Sequence, residues 1–281
     1  MKIGFIGAGK VGCSLGKYFS ANGLDISGYY SRSLSSSEFA AELTGTSAFK
    51  DISGLLNASD TVFITSPDGE IKSVYDQLKK LDLRGKVLCH CSGAMTAGEA
   101  FPDIEKYGAK GCSVHPLFPV SSKTDSYKEL SKAFFCIEGD NETSENWCSI
   151  LRSMGNNARM ISGENKSSYH AACAIMSNLV CGLAAVSVEL LEGCGFSEKE
   201  ALAALRPLAE NNICNISSVG PTAALTGPIE RNDSGTIRRH IDCIPEGTDT
   251  DIYKSVSRKL VALAQERHPE ADYSQISELI K

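Results

Sequence analysis

A doubly wound α/β half followed by an all-helical half is the architecture this sequence predicts, and three observations carry the prediction. Short apolar, strand-like runs alternate with helical segments from Lys2 to about residue 163. Helical periodicity replaces them from Glu164 onward. A G-x-G-x-x-G turn, Gly7-Ala8-Gly9-Lys10-Val11-Gly12, joins the first apolar run to the first helix. A chain of 281 residues suffices for two ordinary domains, drawn here as 1–163 and 164–281.

The elements follow in order. Lys2 to Ile6 reads as a buried parallel strand, Lys10 to Ala21 as a helix stopped by Asn22-Gly23, and Leu24 to Tyr30 as a second strand. Ser35 to Glu38 has the form of a capping box for a helix to about Leu43. Asp51 is placed to cap a helix to Leu56, and Asp68 another to Lys80. Between them Thr61 to Thr65 is a strand ending in Ser66-Pro67, and Lys86 to Cys91 is a strand ending in Ser92-Gly93. Gly111 to Val114 leads into His115-Pro116-Leu117-Phe118-Pro119, a rigid turn at a strand end. Strands at Ala133–Ile137 and Ala158–Ile161 flank a helix near Glu145 to Met154. Such alternation predicts a parallel sheet covered on both faces, with ligands beyond the carboxyl ends of its strands. Gly7, Ser66, Ser92 and His115 then surround one crevice.

In the second half, Tyr169 to Leu191 carries apolar residues at three–four spacing, and no charge lies between Lys166 and Glu189. A membrane span is one reading of that stretch. Its Ala, Cys and Ser content, its Asn178 and the lack of flanking aromatic belts favour a helix buried among others, in a homodimer formed through the helical domain. Ser197 to Glu200 is a second capping box, opening a helix to about Ile216. Helices near Ser234–Asp242, Thr250–Arg267 and Tyr273–Leu279 complete the chain.

Composition narrows the classes. A net charge of −6 without a basic stripe argues against a nucleic-acid partner. Eleven cysteines spread along regular elements, with no signal peptide, fit reduced thiols in a cytoplasmic protein. Cys89, His90, Cys91, Cys112 and His115 invite a zinc reading, but alternate strand residues point to opposite faces, so no metal is expected.

The glycine turn, in its strand–turn–helix–strand context, reads as a dinucleotide site. Gly7 makes the turn, Gly9 admits a pyrophosphate and Gly12 lets the helix approach the strand. At the end of the second strand, Ser31-Arg32-Ser33 replaces the acid that would hold an NAD ribose. Two hydroxyls and a guanidinium suit a 2′-phosphate, so the expected cofactor is NADP(H). Ser66, Pro67 and Ser92 are expected to line the cofactor. Lys166, His170, Ala174 and Asn178, four apart, form one helical ridge on which a lysine and a histidine suit proton transfer to a reduced ketone. The alternative is a snorkelling lysine and a satisfied core histidine. Thr226 to Asp233 is the other unusual stretch. There Arg231 suits a substrate carboxylate, and Glu230 with Arg231 equally suits a structural ion pair.

These motifs, with Gly28 to Ser33, Cys89 to Gly93, Tyr169-His170-Ala171-Ala172 and Ala224 to Arg231, resemble small Rossmann-type NADP oxidoreductases with a helical C-terminal domain. Within them the chain is most similar to the alternative, PanG-type ketopantoate reductases. The resemblance implies NADPH-dependent reduction of a small 2-oxo acid, 2-dehydropantoate, in pantothenate biosynthesis. Similarity to the β-hydroxyacid dehydrogenases implies Lys166 as the catalytic lysine, with His170 where those enzymes have asparagine. A remoter similarity links Glu230 to the carboxylate of ordinary ketopantoate reductases. His115, Ser92 and Arg231 are expected around the substrate, with His170, Asn178 and Glu230 orienting it. His115-Pro116-Leu117-Phe118 also resembles a motif of prephenate-type dehydrogenases, and a non-catalytic NADP(H) sensor is the rival from another class.

Overall fold

The first apolar run forms β1 (Lys2–Ile6), and the glycine turn feeds α1 (Lys10–Ala21) and β2 (Asp25–Tyr30). There follow α2 (Leu34–Thr44), β3 (Ser47–Ala48), α3 (Ile52–Asn57), β4 (Thr61–Ile64), α4 (Asp68–Leu78), β5 (Val87–His90), α5 (Ala97–Ala100) and β6 (Lys110–Leu117). Then come β7 (Phe134–Gly139), α6 (Asn141–Ser153), β8 (Asn157–Met160) and α7 (Lys166–Ile175). The computed structural model describes residues 1–281 and divides into two units, Met1–Ala174 and Ile175–Lys281. The division falls inside α7, later than the expected 163/164, so the first turns of that helix belong with the sheet.

The sheet has the order β3-β2-β1-β4-β5-β6-β7-β8. It is the Rossmann arrangement the alternation implied, with one correction. β7 pairs antiparallel to β6, and β8 is parallel to β7. Residues 118–133 return the chain alongside β6 without crossing the sheet, so the last two strands run against the first six. The register sets Ser113 opposite Glu138 and His115 opposite Cys136. Alternation sends the strand side chains into two cores. Phe5 and Phe63 join Leu15, Phe19 and Trp147 on one face, while Ile6, Val62 and Ile64 join Leu55, Ile71 and Leu78 on the other.

Two caps differ from expectation. Ser33, not Ser35, is the N-cap of α2, and it makes no side-chain cap. Asp68 is the first residue of α4 rather than its cap, and its carboxylate accepts from Ser92 instead. Asp51 and the Ser197–Glu200 box cap as their spacing requires.

The second unit contains α8 (Asn178–Gly193), α9 (Glu198–Val219), α10 (Pro221–Ala224), α11 (Ser234–Cys243), α12 (Thr248–Arg267) and α13 (Ser274–Leu279). Its small core is built from Ile229, Ile237, Ala264, Tyr273, Ile276 and Ile280. The expected unbroken helix from Tyr169 to Leu191 is not formed. At Met176–Ser177 the chain leaves helical geometry, and Ser177 Oγ bonds Asn178 Oδ1 at 2.9 Å. Short polar side chains that bond locally compete with the helical ladder. Gly163–Gly193 is long and apolar enough to cross a membrane by length and composition. However, Lys166 near its start is buried within the sheet unit, and α8 alone has 16 residues, short of the roughly 20 a span needs.

Candidate active site

The glycine turn has the geometry its sequence predicts. Gly7 has φ +114°, a conformation that glycine adopts without strain. A Cβ on Gly12 would lie 2.3 Å from the Gly7 carbonyl oxygen, so only glycine lets α1 start this close to β1. Nothing occupies the space within 4 Å of a Cβ on Gly9, and α1 has neither a side-chain cap nor an acid in its first turn. Its N–H groups and positive end are therefore free for an anion. The turn is held by Gly7 N–H donating to the Tyr30 carbonyl (2.8 Å) and Thr65 Oγ1 donating to the Gly7 carbonyl (2.9 Å). Ser66, next along, has a buried hydroxyl without a protein partner. A free helix terminus, an open glycine cradle and an orphaned hydroxyl together fit a bound dinucleotide. Ala8 is buried behind the turn, and Lys10 is exposed at its mouth.

Arg32 lies on the rim, its side chain 81% exposed, with a guanidinium nitrogen 3.7 Å from Glu70 Oε2. Ser33 Oγ bonds Ser35 Oγ at 2.8 Å, and Ser31 is half-buried. The rim thus holds a cation that a phosphate can engage.

Farther along the strand ends, Ser92 Oγ donates to Asp68 at 2.6 Å and accepts from the N–H groups of Ala94 and Met95. These bonds fix the loop after β5. Gly93 then makes room for two imidazoles. A Cβ there would lie 2.6 Å from His170 Cδ2 and 2.9 Å from both His115 Cε1 and Nε2. The two rings sit with centroids 6.4 Å apart. On its other side, His115 Nδ1 is 2.7 Å from the Tyr169 hydroxyl.

Lys166 is completely buried. Its ammonium donates to Ser113 Oγ, which in turn donates to the Ser92 carbonyl at 3.1 Å. The lysine expected at the reacting ketone is thus a buried group held by a serine of β6. Burial pulls its pKa below the ordinary lysine value, while the charge of Glu138 opposes the fall. Glu138 is itself tied down by the Ala97 N–H at 2.8 Å. Burial, helped by the neighbouring ammonium and by His170, pulls His115 down to about 4. Burial and the same ammonium pull His90 to about 3. Both imidazoles are therefore neutral at pH 7.

Lys166, His170, Ser92 and His115 are brought together in the first unit. Asn178, Glu230 and Arg231 lie in the second. Asn178 follows the helix break and is exposed. Glu230 accepts from His268 Nε2 at 3.0 Å with Arg267 at 3.7 Å. That histidine bond holds the Glu230 carboxyl below the usual range. It is the structural ion-pair reading, with His268 and Arg267 in place of the neighbouring Arg231, which is exposed. Tyr169 and Ser113 were missed as site residues. Tyr169 lies three residues after Lys166, on the face that carries His170, and Ser113 shares strand parity with His115.

Residues 2–92 match the family described as NADP oxidoreductase coenzyme F420-dependent, and residues 133–260 match a domain of unknown function, DUF2520. No curated protein matches the chain. Among solved structures, a protein from Thermotoga maritima is 26% identical, with 95% of this chain and 99% of that one covered at a TM-score of 0.74. A candidate NADP oxidoreductase from Bacteroides fragilis is 20% identical (93% and 98% covered, TM-score 0.70). A pyrroline-5-carboxylate reductase from Coxiella burnetii is 18% identical (99% and 98% covered, TM-score 0.59) and shares the fold. The chain therefore joins an NADP(H)-binding Rossmann segment, similar to the NADP oxidoreductase family, to a segment similar to DUF2520.

Proposed function

We propose that the protein is an NADPH-dependent reductase of a small 2-oxo acid, with 2-dehydropantoate as the first substrate to assay. The observation that carries this reading is the pair of imidazoles over Gly93, near a buried ammonium and in the same unit as the dinucleotide turn. The glycine turn and Ser66 would hold the pyrophosphate end, and Ser31, Arg32 and Ser33 the 2′-phosphate. Bound NADPH supplies a hydride. What this chain adds is a place for the oxygen that becomes negative as a ketone is reduced. His115 donates a hydrogen bond to that oxygen, and the buried Lys166 charge favours the developing anion from below. His170, half-exposed, relays a proton from solvent: one ring nitrogen gives its proton to the alkoxide as the other takes one up from water.

We further propose that the protein is a homodimer formed through its second unit. No residue of α8 is buried, and Leu179, Leu183 and Leu208 lie open. Parts of α8, α9, α10 and α12 line an apolar groove of about 1080 Å³. Apolar surface on this scale is ordinarily covered, and the charge-free part of α8 before Glu189 in a second copy has the matching chemistry.

NADPH absorbance followed against 2-oxo acids, prephenate and a cyclic imine acid tests the reading. Turnover of 2-dehydropantoate, lost by roughly 10²–10⁴ in kcat in Lys166→Met, is the expected result. NADPH binding without turnover of any compound would leave the sensor. Turnover of the imine alone would move the chemistry to C=N reduction.

A further inference from the structure

The Tyr169 hydroxyl faces His115 Nδ1 at 2.7 Å, with the two rings nearly perpendicular at 86°. The opposite edge of the imidazole, Nε2 and Cε1, lies against Gly93 at the strand ends. A neutral imidazole carries one proton, and whichever nitrogen receives a donor leaves the other as N–H. We propose that Tyr169 is a positioning residue that donates its hydroxyl proton to His115 Nδ1, fixing His115 as the Nε2–H tautomer whose donor serves the substrate oxygen.

Three further features agree with that direction. The Tyr169 hydroxyl has the thiols of Cys136 and Cys173 as neighbours, weak donors able to bond its oxygen and leave its proton for the imidazole. Cys136 is held there by the sheet, because it is the cross-strand partner of His115. Burial also pushes the phenol pKa well up, so the hydroxyl keeps its proton throughout the working range. The remaining charged or titratable groups around His115 are Lys166, His170 and His90. A cation beside a second imidazole disfavours a doubly protonated His115. The opposite tautomer would aim a bare acceptor lone pair at a carbonyl oxygen, which is itself an acceptor.

The role rests on the reductase reading, but its principal test does not. In protein labelled with ¹⁵N at histidine, long-range ¹⁵N–¹H correlations report the tautomer of each of the five imidazoles. His115→Gln assigns the signal. The expected result is a single Nε2–H form for His115 in the wild type, and a mixture of tautomers in Tyr169→Phe, which keeps the ring and loses the hydroxyl. An Nδ1–H form in the wild type overturns the proposal, as does a single Nε2–H form that survives in Tyr169→Phe. If 2-dehydropantoate is a substrate, Tyr169→Phe should lower kcat by roughly tenfold, one hydrogen bond's worth, with KM little changed. An inactive wild type with the expected tautomer would sink the substrate and leave the positioning role standing.

Discussion

Lys166 and His115 share one buried corner of the first unit. The ammonium of the lysine donates to Ser113, two residues before His115 on the same face of β6. A cation held beside an imidazole in a desolvated place keeps that imidazole neutral. A neutral imidazole is a donor or an acceptor according to its tautomer, whereas an imidazolium donates from both nitrogens. The lysine thereby helps to keep His115 neutral.

Acid should destabilise the protein above the range where carboxylates titrate. His90 and His115 have folded pKa values of about 3 and about 4, below the ordinary value near 6.5 expected on unfolding. Between about pH 6.5 and 4 the unfolded chain binds protons that the folded chain refuses, so stability falls as pH falls. The slope approaches about 1.4 kcal/mol per pH unit for each histidine below its unfolded pKa. Urea midpoints measured from pH 7.5 to 4.5 check this, and His90→Asn should flatten the decline. An unchanged slope in that variant would mean His90 takes no part.

Replacing Arg32 by alanine should weaken NADPH much more than NADH. Its exposed contact with Glu70 contributes little to folding, so the effect is confined to the ligand. Loss of a charged hydrogen bond to the 2′-phosphate should cost about 1.5–3 kcal/mol of binding. Calorimetric titration with both nucleotides decides it, and equal losses would remove the assigned role.

Gly93→Ala should disturb the two imidazoles while leaving the glycine turn intact. Its Cβ would meet His170 and His115 at 2.6 and 2.9 Å, so at least one ring must move. Misplacement of a catalytic group by about 1 Å can cost on the order of 10²-fold in rate. Turnover number and the histidine ¹⁵N shifts should change together, with NADPH affinity largely kept. Wild-type kcat in this variant would show that the rings need no such placement.

Leu208→Asp should produce a monomer. Leu208 is 69% exposed and lines the apolar groove of the second unit, where a carboxylate would have to be buried on association. Light scattering at micromolar concentration is the measurement, and a monomeric wild type would contradict the dimer.

Much of the fold was legible because its signals are local. Gly7, Gly9 and Gly12 need only their own turn, Asp51 and Ser197 cap helices three residues away, and Thr61 to Ile64 announce a strand buried on both faces. The dinucleotide-binding half followed from these, and the expectation of NADP(H) from Ser31-Arg32-Ser33. What the tertiary structure decided depends on distant partners. Tyr169 meets His115 across 54 residues and Lys166 meets Ser113 across 53. Those meetings require β6 and α7 to pack together in one unit. A charge-free run with helical spacing predicts a helix but not where a serine–asparagine bond will interrupt it. Nor does a buried lysine announce itself, since its burial is set by strands and helices that close around it from elsewhere in the chain. Periodicity and capping act over a few residues, whereas burial and pairing arise only when the whole chain packs.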